Sequence, residues 1–102
     1  MNQVLMTENL TRDPETKRTQ SGKLRATFGL AVQRGNNDTE FFNLVAWEKN
    51  AEFIQKYFVK GSRIIIQGHL QSSNYTDASG AKHYGVDIIV DNVEFGGGKK
   101  TD

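Results

Sequence analysis

The chain has 102 residues, which is long enough for one compact domain with a core of its own. Its formal net charge is only +1, so any basic surface must come from the placement of the cations and not from their excess. It contains no cysteine, which excludes disulfides, thiolate nucleophiles and cysteine-based zinc sites.

The N-terminal residues lack a basic segment followed by a long apolar one, so no secretory signal is predicted. No apolar run approaches the ~20 residues that a membrane-spanning helix needs. We therefore expect a soluble, cytoplasmic protein.

Apolar and polar residues alternate along several segments, a pattern typical of strands with one buried face. A first strand is predicted over 3–10, where the alternation is less regular. In 24–33 the inward positions are the apolar even-numbered ones. In 41–47 one side carries Phe42, Leu44 and Ala46, and the opposite side carries Phe41, Asn43, Val45 and Trp47.

Two further strands are predicted in the second half of the chain. In 63–73, Ile64, Ile66 and Leu70 are expected to point inward, with Gly68 marking a bend. In 84–90 the inward residues are predicted to be Tyr84, Val86, Ile88 and Val90.

The other segments are predicted to form turns, a helix and a tail. Turns are predicted at 12–15, 20–23 and 35–38, and a hairpin loop at 76–80. The segment 50–58 has Ala51, Ile54 and Phe58 at helical spacing, and Gly61 closes it. The Gly- and Lys-rich residues 96–102 are expected to form a flexible tail.

Five strands with one helix between the third and fourth is the element order of an OB-fold, an all-β Greek-key barrel. We therefore predict one OB-fold domain over residues 1–95. Such barrels bind oligonucleotides or oligosaccharides across their second and third strands, so the order alone does not settle the ligand.

Aromatic residues fall on the predicted outer faces of these strands. Phe41 and Trp47 lie opposite a complete apolar face, roughly 20 Å apart along the strand. Tyr75 ends the fourth strand where the hairpin begins. Exposed rings stack with the bases of single strands, whereas duplex DNA hides its base faces. Semi-buried packing is the alternative role for all three.

Cations lie near both ends of this aromatic face, as expected for a groove that follows a phosphate backbone. Solvated surface charge is the alternative for each of them. The candidates for contact with the strand, with one amide on the outer face, are Lys17, Arg18, Arg34, Asn43, Lys49, Arg63 and Lys82.

The chain resembles the bacterial single-stranded DNA-binding protein family from residue 1 to about residue 95. The resemblance is carried, in order, by the segments 2–6, 9–15, 21–22, 26–32, 40–47, 60–62, 66–70, 75–80 and 84. It implies an OB-fold that binds single-stranded DNA without sequence specificity and protects it during replication, recombination or repair. It also implies a homotetramer, or a homodimer, built partly by first-strand contacts. Within the family pattern, Phe41, Trp47 and Tyr75 align with base-stacking positions.

The chain departs from the family pattern at several positions. Glu8 replaces a glycine usual in the first strand, and Glu48 stands where a small or basic residue is common. The loop 35–39 is short and lacks an aromatic contact. The sequence also lacks the long linker and acidic tip of the family, which argues against partners recruited through such a tip.

The other functions considered are less well supported. His69 and His83 are the only histidines, and without cysteine they do not readily complete a metal site, so neither an enzyme nor a cofactor is predicted. A primosome-type OB-fold module that docks proteins and binds DNA weakly is the main alternative. An oligosaccharide-binding domain is a third.

Overall fold

The computed structural model describes residues 1–96, which form eight strands and one helix. The strands are β1 (Val4–Asn9), β2 (Glu15–Arg18), β3 (Leu24–Arg34), β4 (Asp38–Trp47), β5 (Arg63–Ser72), β6 (Tyr75–Thr76), β7 (Lys82–His83) and β8 (Val86–Phe95), and the helix is α1 (Lys49–Tyr57). The predicted tail falls outside the described residues except for Gly96, whose N–H donates to the Arg63 carbonyl at 2.9 Å.

Six strands form one sheet in the order β1-β5-β8-β4-β3-β2, and β6 pairs with β7 in a separate hairpin. All neighbours in the large sheet are antiparallel except β4 and β8, which are parallel. The sheet curls until Leu10 bridges Leu30, and the Thr11 N–H donates to the Gly29 carbonyl at 3.0 Å. This is the all-β OB-fold barrel predicted from the sequence, left open beyond that bridge.

The core lies inside the curled sheet, with α1 covering one end. The inward residues predicted for β3 are buried as far as Leu30, and Val32 is half-buried. The helix lies one residue earlier than predicted. It buries Ala51 and Ile54, and Phe58, directly after its end, is buried as well. Alternation along the strands and the helical spacing were therefore reliable guides to the core.

Strand β2 was not predicted. Its sequence, Glu-Thr-Lys-Arg, has no apolar alternation, because β2 is an edge strand that pairs only with β3. Strand β4 begins at Asp38 and not at Phe41, and β8 runs from Val86 to Phe95, so it begins and ends later than the predicted 84–90.

The side of the strand predicted to be buried was wrong for four residues. Val45, expected outside, is buried because its strand is central and is flanked by Thr27 and Ile89. Three residues expected inside are exposed because they lie beyond the end of the core, next to the β6–β7 hairpin: Leu70, Tyr84 and Val86.

Gly68 lies at the bend predicted for β5. The register between β5 and β8 shifts between Gln67 and Gly68, which is a β-bulge. A Cβ at Gly68 would collide with the Ile89 carbonyl oxygen, so the two backbones approach more closely than any larger residue allows.

Within residues 1–96 the model has no helix that is both long and apolar enough to cross a membrane.

Candidate nucleic-acid interface

The strand register aligns one aromatic and two basic residues across the outer face of the sheet. Lys17 on β2 pairs with Arg25 on β3, and Arg25 pairs with Trp47 on β4. The Arg25 guanidinium carbon lies 5.9 Å from the centroid of the Trp47 ring, within the range of a cation–π contact. A stacking ring and two cations therefore form a continuous row across three strands.

The same face of β4 carries Phe41 and Asn43. They pair with Ala31, whose side chain is a methyl group, and with Gly29, which has no side chain. Phe41 is 71% exposed and Trp47 is 36% exposed, so neither ring is a core residue. Between the two exposed rings, the strand carries Val45, an apolar residue that is buried.

A further cation, Arg12, reaches this face from the β1–β2 connection and was not among the predicted site residues. A Cβ placed at Gly29 would lie 2.8 Å from Arg12 Nη1 and 2.6 Å from Thr11 Oγ1, so the guanidinium lies directly over Gly29. Since Gly29 pairs with Asn43, Arg12 lies between the two rings along the strand. Arg12 lies in a predicted turn, so the strand pattern gave no reason to place it at the site. The available signal was Gly29, a glycine at an outward strand position.

Tyr75 lies on the β6–β7 hairpin, outside the large sheet. Its ring stacks on His83 with centroids 4.6 Å apart and planes inclined by 10°, yet Tyr75 remains 60% exposed. Lys82 pairs with Thr76, so by strand alternation it points to the other side of the hairpin.

The hairpin leaves the barrel near Phe41. In the parallel pairing of β4 and β8, Leu44 lies beside Ile88. The start of β8, which follows the hairpin, is therefore level with the Phe41 end of β4 and not with the Trp47 end. The hairpin that carries Tyr75, the third predicted ring, therefore projects at the Phe41 end of β4.

Three predicted cations have protein partners away from the outer face. Arg18 alternates with Lys17, and its Nη1 donates to the Gly22 carbonyl at 2.9 Å. Arg34 forms ion pairs with Glu40 at 2.9 Å and with Asp38 at 3.7 Å, on the face opposite Phe41. Arg63 Nη1 donates to Asn9 Oδ1 at 3.2 Å at the start of β5.

The link from β4 to α1 has an unusual backbone. Glu48, between Trp47 and Lys49, has φ 56° and ψ −117°, and it is the only non-glycine residue with positive φ among residues 1–96. Its N–H donates to the Leu24 carbonyl at 2.9 Å, which fixes the turn. Lys49 begins α1 directly after this turn, at the Trp47 end of the face.

The electrostatics of the face differ from those of the whole chain. Among the described residues, the side chains paired with a carboxylate are those of Arg34, His69 and His83, and none of these pairs involves Arg12, Lys17 or Arg25. In the part of the chain that the model describes, no group of three or more acidic or histidine side chains could hold a metal ion. Unpaired cations beside exposed rings can neutralise phosphates while the rings stack with bases.

Known proteins are similar to this chain over the length of the barrel. The model of the single-strand binding protein family matches residues 1–96. The single-stranded DNA-binding protein 1 of Staphylococcus aureus strain MSSA476 is 37% identical over a 108-residue alignment that covers 100% of this chain and 69% of that protein.

Other relatives carry similar names. The single-stranded DNA-binding protein of Fusobacterium nucleatum is 43% identical, and the alignment covers 99% of this chain and 70% of that protein. The protein of the same name from Bacillus cereus is 36% identical, with 98% and 65% covered. The matches extend across the whole barrel, including the strands that carry Lys17, Phe41 and Trp47. The chain belongs to the single-strand binding protein family.

Proposed function

We propose that this barrel binds single-stranded DNA without sequence specificity, through its β2–β3–β4 face and the β6–β7 hairpin. The observation that carries the proposal is the exposure of Phe41, Trp47 and Tyr75 beside cations that have no acidic partner among residues 1–96. Large apolar rings without a packing role mark a binding surface. The family consists of DNA-binding proteins that are not enzymes, and this chain is not an enzyme.

Binding is passive in this proposal. Bases stack on the three rings, and each stack contributes about 1–3 kcal/mol whatever the base, because every base has a π-face. Lys17, Arg25 and Arg12 neutralise phosphates between the rings, and Lys49 extends the cationic track at the Trp47 end. Asn43 supplies a neutral hydrogen-bonding group beside Arg12.

The biological role and assembly are also proposals. Membership of the family supports protection of single strands during replication, recombination or repair in the cytoplasm. A homotetramer is supported by β1, which is an edge strand of the large sheet and carries Leu5 at 72% exposure. A strand of DNA that crossed several subunits would multiply the affinity of each site.

The test uses Trp47, the only tryptophan in the chain. The protein is titrated with oligo-dT and with matched duplex DNA at low and high salt, and tryptophan fluorescence is recorded. We expect quenching by the single strand only, with an affinity that falls as salt rises. No response, with labelled DNA also remaining free, would contradict the proposal.

Two variants refine this test. Trp47→Ala should weaken binding of labelled oligo-dT by about 1–3 kcal/mol without unfolding the barrel. Arg12→Ala should leave fluorescence quenching intact but lower the slope of log K against log salt by ~0.7 for one phosphate contact. An unchanged affinity in a folded Trp47→Ala protein would remove Trp47 from the stacking set.

A protein-docking module is the second candidate. The acidic Glu48 beside Trp47 favours it, since its carboxylate reduces the positive potential at that end of the face. In that case the exposed rings would be interface anchors. The titration separates the two candidates, because a docking module would leave Trp47 fluorescence nearly unchanged by DNA.

A further inference from the structure

In the hairpin, the ring of His83 packs against Tyr75, a proposed base-stacking residue. Its ring lies nearly parallel to that of Tyr75, at a centroid distance of 4.6 Å, on the neighbouring strand of the hairpin. Stacked aromatic pairs at this spacing attract one another beyond the area they bury. One face of Tyr75 is thereby covered, and the other is left to solvent.

Asp77 holds the His83 ring in place. Its Oδ2 lies 2.8 Å from His83 Nε2. Its Oδ1 accepts hydrogen bonds from the Ser79 N–H, the Ser79 hydroxyl and the Ala81 N–H at 3.0, 2.8 and 3.0 Å. Because an ionised carboxylate only accepts, Nε2 carries the hydrogen of this bond. The loop, the imidazole and the phenol ring are thus linked in one chain of contacts.

The base of the hairpin is also anchored. The Ser73 N–H donates to the Gly85 carbonyl at 2.9 Å, and the Gly85 N–H donates to Asn74 Oδ1 at 3.3 Å. The hairpin has only two paired residues on each strand and lies outside the core. Side-chain contacts are therefore needed to fix the orientation of Tyr75.

We propose that His83 is a positioning residue for DNA binding: with its ring held by Asp77, it backs Tyr75 and presents the free face of the phenol to a base. This rests on the proposed function. In the complex, imidazole, phenol and base form one continuous stack. The ordering of Tyr75 before binding reduces the entropy lost when a base stacks on it.

The second histidine provides a matched control. His69 Nδ1 lies 2.9 Å from Asp91 Oδ2, so it forms a histidine–carboxylate pair like that of His83. It stacks on none of the aromatic rings in residues 1–96. Removal of the imidazole can therefore be compared at His69 and at His83, which both pair with a carboxylate, whereas only His83 stacks on a ring.

The test measures binding of fluorescein-labelled oligo-dT by anisotropy, which does not depend on Trp47. We expect His83→Ala to bind about 2- to 12-fold more weakly, the range of one aromatic pair. His83→Phe, which keeps a ring but loses the bond to Asp77, should restore most of the affinity. His83→Gln, which keeps a hydrogen-bonding group but no ring, should remain weak, and His69→Ala should bind like the wild type.

A double-mutant cycle separates positioning from direct contact. If His83 acts through Tyr75, the Tyr75→Ala/His83→Ala protein binds no more weakly than Tyr75→Ala alone. Independent, additive losses would overturn the proposal, because His83 would then contact DNA itself. Equal binding by His83→Ala and the wild type would also overturn it.

The stack is tested without DNA by NMR of the free protein. Tyr75 ring protons should lose their ring-current shift in His83→Ala and keep it in His83→Phe. Unchanged shifts in His83→Ala would overturn the proposal even if DNA binds. If the wild type binds neither oligo-dT nor duplex, the proposed function fails instead, whatever the NMR spectra show about the ring pair.

Discussion

At the scale of single residues, the role of a charge or ring depends on what lies across the strand from it. Arg25 and Arg34 are both on β3, yet one lies over Trp47 and the other is paired with two carboxylates. A difference in strand parity places them on opposite faces. Arg25 is therefore available to a phosphate, and Arg34 is largely neutralised by its own neighbours.

Glu48 has a backbone conformation that is unusual for a residue other than glycine. With φ 56° the residue occupies a region that glycine adopts freely and other residues adopt at a cost of about 1–3 kcal/mol. We expect Glu48→Gly to stabilise the fold by roughly 1 kcal/mol after the larger chain entropy of glycine is subtracted. The free energy of unfolding is measured by urea denaturation.

A charge-only control accompanies this variant. Glu48→Gln removes the carboxylate beside Trp47 but keeps the strained backbone, so it should tighten DNA binding without a gain in stability. Glu48→Gly should do both. A less stable Glu48→Gly protein would show that the turn does not carry the inferred strain.

At the scale of elements, the β6–β7 hairpin is organised by one carboxylate. The hydrogen bond from His83, followed by those from the Ser79 hydroxyl and the Ala81 N–H, lowers the pKa of Asp77 from 3.8 to about 2. A depressed pKa means that the folded hairpin favours the ionised form. The contribution of Asp77 is therefore complete above pH ~4 and is lost as pH falls through about 2.

The low pKa of Asp77 predicts how the hairpin responds to pH. Between pH ~4 and ~1 the amide protons of Ser79 and Ala81 should shift together with a midpoint near 2, as Asp77 protonates and releases them. Two-dimensional NMR spectra recorded across this range provide the measurement. Asp77→Asn should abolish the transition, and a midpoint near 4 in the wild type would mean that these bonds do not favour the carboxylate.

At the scale of the whole molecule, the large sheet has two edge strands, β1 and β2, and we propose that subunits assemble through β1. Strand β1 is hydrogen-bonded to β5 on one side only, and an unpaired edge offers N–H and C=O groups to another chain. Leu5 on this strand is 72% exposed, which adds apolar surface beside the edge. The proposed DNA-binding face, on β2, β3 and β4, remains free when β1 is covered.

We expect light scattering to give a mass of four times 11.5 kDa for the wild type. Leu5→Asp should shift the population to smaller species by placing a charge at the contact. Val59→Asp, which changes another exposed apolar residue in the loop after α1, should leave the mass unchanged. A monomeric wild type would refute the assembly, and a tetrameric Leu5→Asp protein would place the contact elsewhere.

The sequence by itself determined the barrel, its helix and most of its core. Alternation in 24–33 and the spacing of Ala51, Ile54 and Phe58 are local consequences of which side of an element meets the interior. The outward positions of Phe41, Asn43 and Trp47 followed from the same alternation. These features were predictable because each depends on residues close together in the chain.

The tertiary structure decided what depends on residues far apart in the chain. Arg12 reaches the binding face only because the sheet curls and brings the β1–β2 connection over Gly29. Val45 is buried because β8 pairs with β4, and Tyr75 is oriented because the hairpin places His83 against it. Strand pairing and ring stacking bring together distant residues, and no local pattern encodes which of them will meet.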